Sequence, residues 1–259
     1  MSRTGRAGLP ALVAYLLLTA CTGGIRDDGA GGDLDGDGKE YPGDLYVRLA
    51  VEYLRQGQTE TALRKAGNAV TEDPDNPQAH NLMALIYQRL GRDRLAEQHF
   101  RKAVGLGPGD PYILNAYASF LCDRRKFAQA RSQYKKALTN PRYATPWIAM
   151  TNLGICARHS GNGGQAETYF RRALSANPGF GSAMAALADL GYGHGRYQSA
   201  RAHLGRYFKV AQPTPRYSCW RSGSNVSWAH ASGRPLMPSC CASATPNRRN
   251  SANYEIVPP

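Results

Sequence analysis

Few residues in this chain are spaced for chemistry, and each such group has a competing explanation in its surroundings. Ser132-Gln133-Tyr134-Lys135 has the Ser-x-x-Lys spacing of certain acylating enzymes, in which a lysine can activate a serine. No companion motif accompanies it, and the spacing is common by chance on a helix. Gly161-Asn162-Gly163-Gly164 and Gly191-Tyr192-Gly193-His194-Gly195 have the glycine count of phosphate loops, yet neither follows a strand. Asp33-Leu34-Asp35-Gly36-Asp37-Gly38, with Asp44 in twelfth place, partly matches a calcium loop. It lacks a preceding helix and has Asp where Glu is usual, so it reads as solvated linker. Six histidines occur without His-Glu-x-x-His, and six cysteines without Cys-x-x-Cys. The chain predicts no catalytic residue, no metal ligand set, no cofactor and no nucleotide site.

The remaining chemistry belongs to cysteines. Arg3 and Arg6 precede an apolar stretch, Leu9–Leu18, and Leu18-Thr19-Ala20-Cys21 follows. A basic start, a short apolar run and small residues are the layout of a secretory signal over residues 1–20. Leu18-Thr19-Ala20-Cys21 also resembles a bacterial lipobox, which implies cleavage before Cys21 and acylation of that residue. Several acyl chains would hold the chain durably, at about 0.8 kcal/mol per buried CH₂. Thr22 in place of Asp implies, by the same resemblance, the outer membrane, with the protein facing the periplasm. Cys122 and Cys156, thirty-four residues apart, could oxidise in an exported protein. They could equally stay as two buried thiols packed as small apolar groups.

Those residues need elements to position them, and the elements repeat. Ala50, Tyr53, Gly57, Ala62, Ala66, Ala69 and Pro74 are answered thirty-four residues later by Ala84, Tyr87, Gly91, Ala96, Phe100, Ala103 and Pro108. Three further sets begin at Ala118, Gly154 and Ala188. Small residues fit where two helices cross closely, and rings such as Phe100, Tyr134 and Phe170 fill the gaps between helix pairs. Glycines at 57, 91, 161 and 195 sit at turns that favour left-handed backbone angles. This period resembles the tetratricopeptide pattern, one helix–turn–helix per ~34 residues. Repeats are predicted at 43–76, 77–110, 111–144, 147–180 and 181–213. The fold class is therefore all-α, a right-handed tetratricopeptide superhelix whose inner groove takes extended or helical peptides. Asn81 and Asn115 share one place in successive repeats; their amides could hold a bound peptide backbone or bond to neighbouring repeats. Gln78, Gln88, Arg89, Tyr112, Thr151 and Arg158 are further groove candidates.

Composition sets the bounds. With 42% hydrophobic and 20% charged residues, 259 residues suit a soluble globular body. The one long apolar stretch, Leu9 to Ala20, is shorter than the ~20 residues that span a bilayer. Residues 21–42 are rich in Gly and Asp and read as an acidic tether. The net charge of +13 is concentrated in residues 45–210, which carry +12. Such a body attracts anionic surfaces, whether lipid, acidic protein or nucleic acid. Residues 214–259 hold Trp220, Trp228, Cys219, Cys240 and Cys241 with no helical period. They read as an irregular tail, either a disordered extension or the product of a frameshift near residues 213–216 where a sixth repeat is due; the abrupt change to Trp, Cys, Ser, Arg and Pro favours the second.

A lipobox, a short tether and tandem repeats together resemble the type IV pilus lipoproteins of the PilF/PilW type. Residues 79–104 (AHNLMALIYQRLGRDRLAEQHFRKAV), 117–130 (YASFLCDRRKFAQA) and 152–174 (NLGICARHSGNGGQAETYFRRAL) carry the likeness, including Cys122 and Cys156. It extends from residue 1 to about 215. The resemblance implies a pilotin, a lipid-anchored outer-membrane adaptor that localises or assembles the pilus secretin ring. Its partners would be that secretin and the lipid bilayer, with no nucleic acid. The competing expectation is a general tetratricopeptide lipoprotein serving other envelope assembly.

Overall fold

A computed structural model of the chain describes residues 43–211. The predicted lipidation site Cys21, the signal, the tether and the tail lie outside the described residues. Among those described there are ten helices and no strand. They pair as α1 (Asp44–Arg55) with α2 (Thr59–Glu72), α3 (Pro77–Arg89) with α4 (Asp93–Leu106), and α5 (Pro111–Asp123) with α6 (Phe127–Leu138). The last two pairs are α7 (Pro146–His159) with α8 (Gly163–Ala176), and α9 (Gly181–Gly193) with α10 (Tyr197–Val210).

The sequence sets these boundaries locally. Asn76 caps α3 by accepting the Ala79 N–H at 2.9 Å, and Pro77 follows as the first helical residue. Asp110 and Pro111 do the same for α5, with Asp110 Oδ1 accepting the N–H groups of Tyr112 and Ile113. A proline at the first helical position removes only a donor that the helix leaves unpaired anyway. Inside four of the pairs the turn passes through Gly57, Gly91, Gly161 or Gly195, at φ between 72° and 84°. The third pair puts Arg125 there, at φ 59°, a conformation that crowds its Cβ.

Packing follows the repeat. Ala50, Ala84, Ala118, Gly154 and Ala188 are all buried at the helix crossings. A Cβ at Gly154 would lie 2.6 Å from the ring of Phe170, so no side chain fits in the fourth pair. Phe100, Tyr134 and Phe170 are fully buried, whereas Tyr53 and Tyr87 are only half-buried. Each helix packs on the next, and each odd-numbered helix also touches the next odd-numbered one from α1 to α9. The even helices make no comparable contact with one another among the described residues. A stack whose odd helices crowd together must curve with those helices inside and the even ones outside.

On the outside, carboxylates tie one repeat to the next at matching places. Lys126 donates to Glu97 at 2.9 Å, and Arg196 donates to Glu167 at 2.7 Å. Arg101 and Arg171, one turn along α4 and α8, bond to the same two carboxylates. Lys126 and Arg101 hold the Glu97 carboxyl below its usual range, and Arg196 and Arg171 bring that of Glu167 down to about 2.

Candidate peptide-binding face

The inner face is built by α1, α3, α5, α7 and α9, and half of the polar residues predicted to line it are spent on joining repeats. Gln78 is buried and its Nε2 donates to Asp110 Oδ2 at 2.6 Å, locking the cap of α5 to the start of α3. Gln88 Nε2 donates to Asp123 Oδ2 at 3.1 Å. Asn115 Oδ1 accepts from Asn152 Nδ2 at 3.2 Å. Arg158 pairs with Asp189 at 3.7 Å. Cys122 and Cys156 are joined as a disulfide across α5 and α7, with Cα atoms 5.8 Å apart, inside the range the bond requires. Together these contacts bind the second repeat to the third, the third to the fourth and the fourth to the fifth.

The other candidates differ. Thr151 is buried and its hydroxyl donates to the Trp147 carbonyl at 2.8 Å, one turn back along α7. Tyr112 is half-buried, its ring edge-on to Tyr143 with centroids 5.1 Å apart. Arg89 is exposed at the end of α3. Asn81 alone of the predicted amides has an oxygen left over: its Oδ1 is buried with no hydrogen-bond partner among the described residues. A buried acceptor without a donor costs about 1–3 kcal/mol. Asn81 and Asn115 therefore occupy the same place in successive repeats but not the same bonding state.

Sequence reasoning did not single out Asp110, Asp123, Asn152 and Asp189 as the partners of these side chains. A signal existed. Each lies between 31 and 37 residues beyond a polar candidate, close to one repeat further on. Asp123 is also altered in acidity: burial pushes its carboxyl up to about 6, against the pull of Arg124 and the Gln88 bond.

Two other polar groups lie off this face. His80 and His99 meet with their Nδ1 atoms 3.0 Å apart, and His80 Nε2 lies 3.0 Å from the Pro74 carbonyl. A carbonyl can only accept, so His80 carries its proton on Nε2 and His99 donates to it from Nδ1. Burial lowers the pKa of both rings and favours these neutral forms. An open cleft of about 390 Å³ beside α4 is lined by Arg94, Gln98, Phe120 and the paired charges of Glu97, Arg101 and Lys126. Ser132 and Lys135 are both exposed on α6 with no bond between them, and Asp44 accepts from Asn76 Nδ2 at 2.8 Å. Gly161 and Gly195 lie in turns between helices. Among the described residues no three His, Cys, Asp or Glu gather as a metal site, and no helix is long and apolar enough to cross a membrane.

Paired helices with a shared inner face define a scaffold of the tetratricopeptide class, and the known proteins agree. The tetratricopeptide-repeat family matches residues 47–111 and 121–179, and a second tetratricopeptide signature matches 157–218. The crystal structure of PilW, described as a widely conserved type IV pilus biogenesis factor, superposes with a TM-score of 0.64. It is 33% identical over 71% of this chain and 85% of that one. The type IV pilus assembly protein PilF of Pseudomonas aeruginosa is 27% identical over 193 residues, 74% of this chain and 77% of the relative. Its solved structure gives a TM-score of 0.62. A Thermus thermophilus tetratricopeptide protein, 21% identical with a TM-score of 0.58 over 65% of this chain and 91% of that one, shares the fold. The chain belongs to the PilF/PilW family of tetratricopeptide proteins of type IV pilus biogenesis.

Proposed function

We propose that this protein is a pilotin: a non-catalytic outer-membrane lipoprotein, held by an acylated Cys21 and facing the periplasm, that binds the pilus secretin and promotes its localisation and assembly. The likeness to PilW over 85% of that chain carries the reading. The inner face supports it. Its cross-repeat bonds hold α3, α5, α7 and α9 as one rigid surface, so a bound segment need not pay to order its receptor. Asn81 on α3 holds a buried, unpaired acceptor beneath that surface. Half-buried Leu85 lies one turn further along α3.

The test is carried out in a pilus-forming host. Cys21→Ala should move the protein from the outer-membrane fraction and reduce the assembled secretin ring relative to its monomer. Unchanged fractionation would overturn the lipid anchor. A normal ring in cells lacking the protein altogether would overturn the pilotin role.

A further inference from the structure

The outer helices carry a repeated basic pattern that the cross-repeat ties do not use up. Arg101 and Lys102 on α4, Lys135 and Lys136 on α6, and Arg171 and Arg172 on α8 follow the buried rings of Phe100, Tyr134 and Phe170. On α10, Gly205 and Arg206 follow the buried Leu204. All seven basic residues are exposed. They flank the direction opposite the buried stripe, so each repeat presents its charge on the outside of the stack. Arg101 and Arg171 are paired with Glu97 and Glu167. Lys102, Lys135, Lys136 and Arg172 have no carboxylate within ion-pair distance among the described residues.

The charge is also polarised along the stack. Residues 43–123 hold nine Lys and Arg against ten acids, for −1. Residues 124–211 hold fourteen against two, for +12. Both of those acids, Glu167 and Asp189, are already paired with arginines.

We propose that the outer face of α4, α6, α8 and α10 docks on an anionic lipid surface. The charges are spread over four successive helices of a rigid convex face. A layer of headgroup phosphates can meet that spacing in any register, whereas a single acidic strand would follow a groove, and the groove of this fold lies on the odd-helix side. The first repeat, with four basic residues against six acids, and the acidic segment before it gain nothing from such a surface. Docking therefore lays the second to fifth repeats against the lipid and leaves the inner face open. The inference is independent of acylation, because the pattern lies wholly within residues 101–206.

The test uses the full chain carrying Cys21→Ala, floated with vesicles of phosphatidylcholine alone or with about two-fifths phosphatidylglycerol. The ratio of the two partition coefficients cancels any binding by the apolar stretch near the N-terminus. Each basic residue near such a surface is worth roughly five-fold in partition. Changing Lys102, Lys135, Lys136 and Arg172 to Gln together should therefore cut the ratio by at least about a hundredfold. Raising the salt from about 0.1 M to 0.5 M should collapse the unaltered chain's ratio toward one, which needs no variant. A ratio near one at low salt, or one that four substitutions leave in place, would overturn the proposal. So would capture of polyglutamate with no preference for anionic vesicles, which would point to an acidic polypeptide instead.

Discussion

The bond between Cys122 and Cys156 gives the sharpest stability prediction. It closes a loop of 34 residues and links α5 to α7, with both cysteines buried. Chain entropy assigns a loop of that length about 3.5–4 kcal/mol of stabilisation, exerted mainly on the unfolded chain. Replacing both cysteines with alanine keeps small apolar groups in the core, so the loss should come chiefly from the missing link. For a domain of this size each kcal/mol moves Tm by roughly 2–4 °C, so the double variant should melt about 8–15 °C lower. Thermal unfolding is followed by circular dichroism on the full chain and on the variant, each with and without reductant. Reductant should bring the unaltered chain down to the variant and leave the variant where it was, although Cys21, Cys219, Cys240 and Cys241 are present in both. Parent and variant melting within about 2 °C of one another would refute the reasoning, since no 34-residue closure should be that weak.

Four further outcomes follow from the geometry. Arg125→Gly should stabilise the chain by about 1 kcal/mol, since a left-handed residue loses its Cβ crowding, and chemical denaturation would register it. Gly154→Val should cost about 3 kcal/mol because the fully buried Phe170 ring cannot yield. By contrast, Gly67→Ala in mid-α2, where a Cβ meets nothing within 4 Å, should gain up to about 1 kcal/mol. Asp123→Asn should stabilise at pH 7.5 and lose that advantage by pH 4. The folded carboxyl titrates near 6 and the unfolded one near 3.8, so the cost of ionising it is full above pH 6 and is relieved as the pH falls between those values.

Much of the fold was legible because tetratricopeptide packing is enforced by side-chain size at fixed intervals. A crossing that admits only Ala or Gly, and a turn that favours Gly, leave marks at 50, 84, 118, 154 and 188 that survive large changes elsewhere. The exception at Arg125 was visible as a non-glycine in the third set, but its left-handed backbone was not. The face was less legible than the frame. Helical register could place Gln78, Gln88, Asn115 and Arg158 on the inside, but it could not say whether a neighbouring repeat had already satisfied them. That depends on Asp110, Asp123, Asn152 and Asp189 one repeat away, and on rotamers that spacing does not set. Spacing likewise left the two cysteines open between a bond and two thiols, because it carries no Cα distance. Asn81 and Asn115 show the limit most directly: one pattern position, one bonded amide and one buried oxygen without a donor.

As the pilotin proposed above, the protein would receive the pilus secretin on its odd-helix face. A photo-crosslinking residue in place of Leu85 on that face, and a second in place of Ser175 at the exposed end of α8, can be activated in intact envelopes and the products identified by mass spectrometry. Secretin peptides should be joined to position 85, with few or none at 175. Secretin captured only at 175, or envelope enzymes in its place at 85, would contradict the proposal.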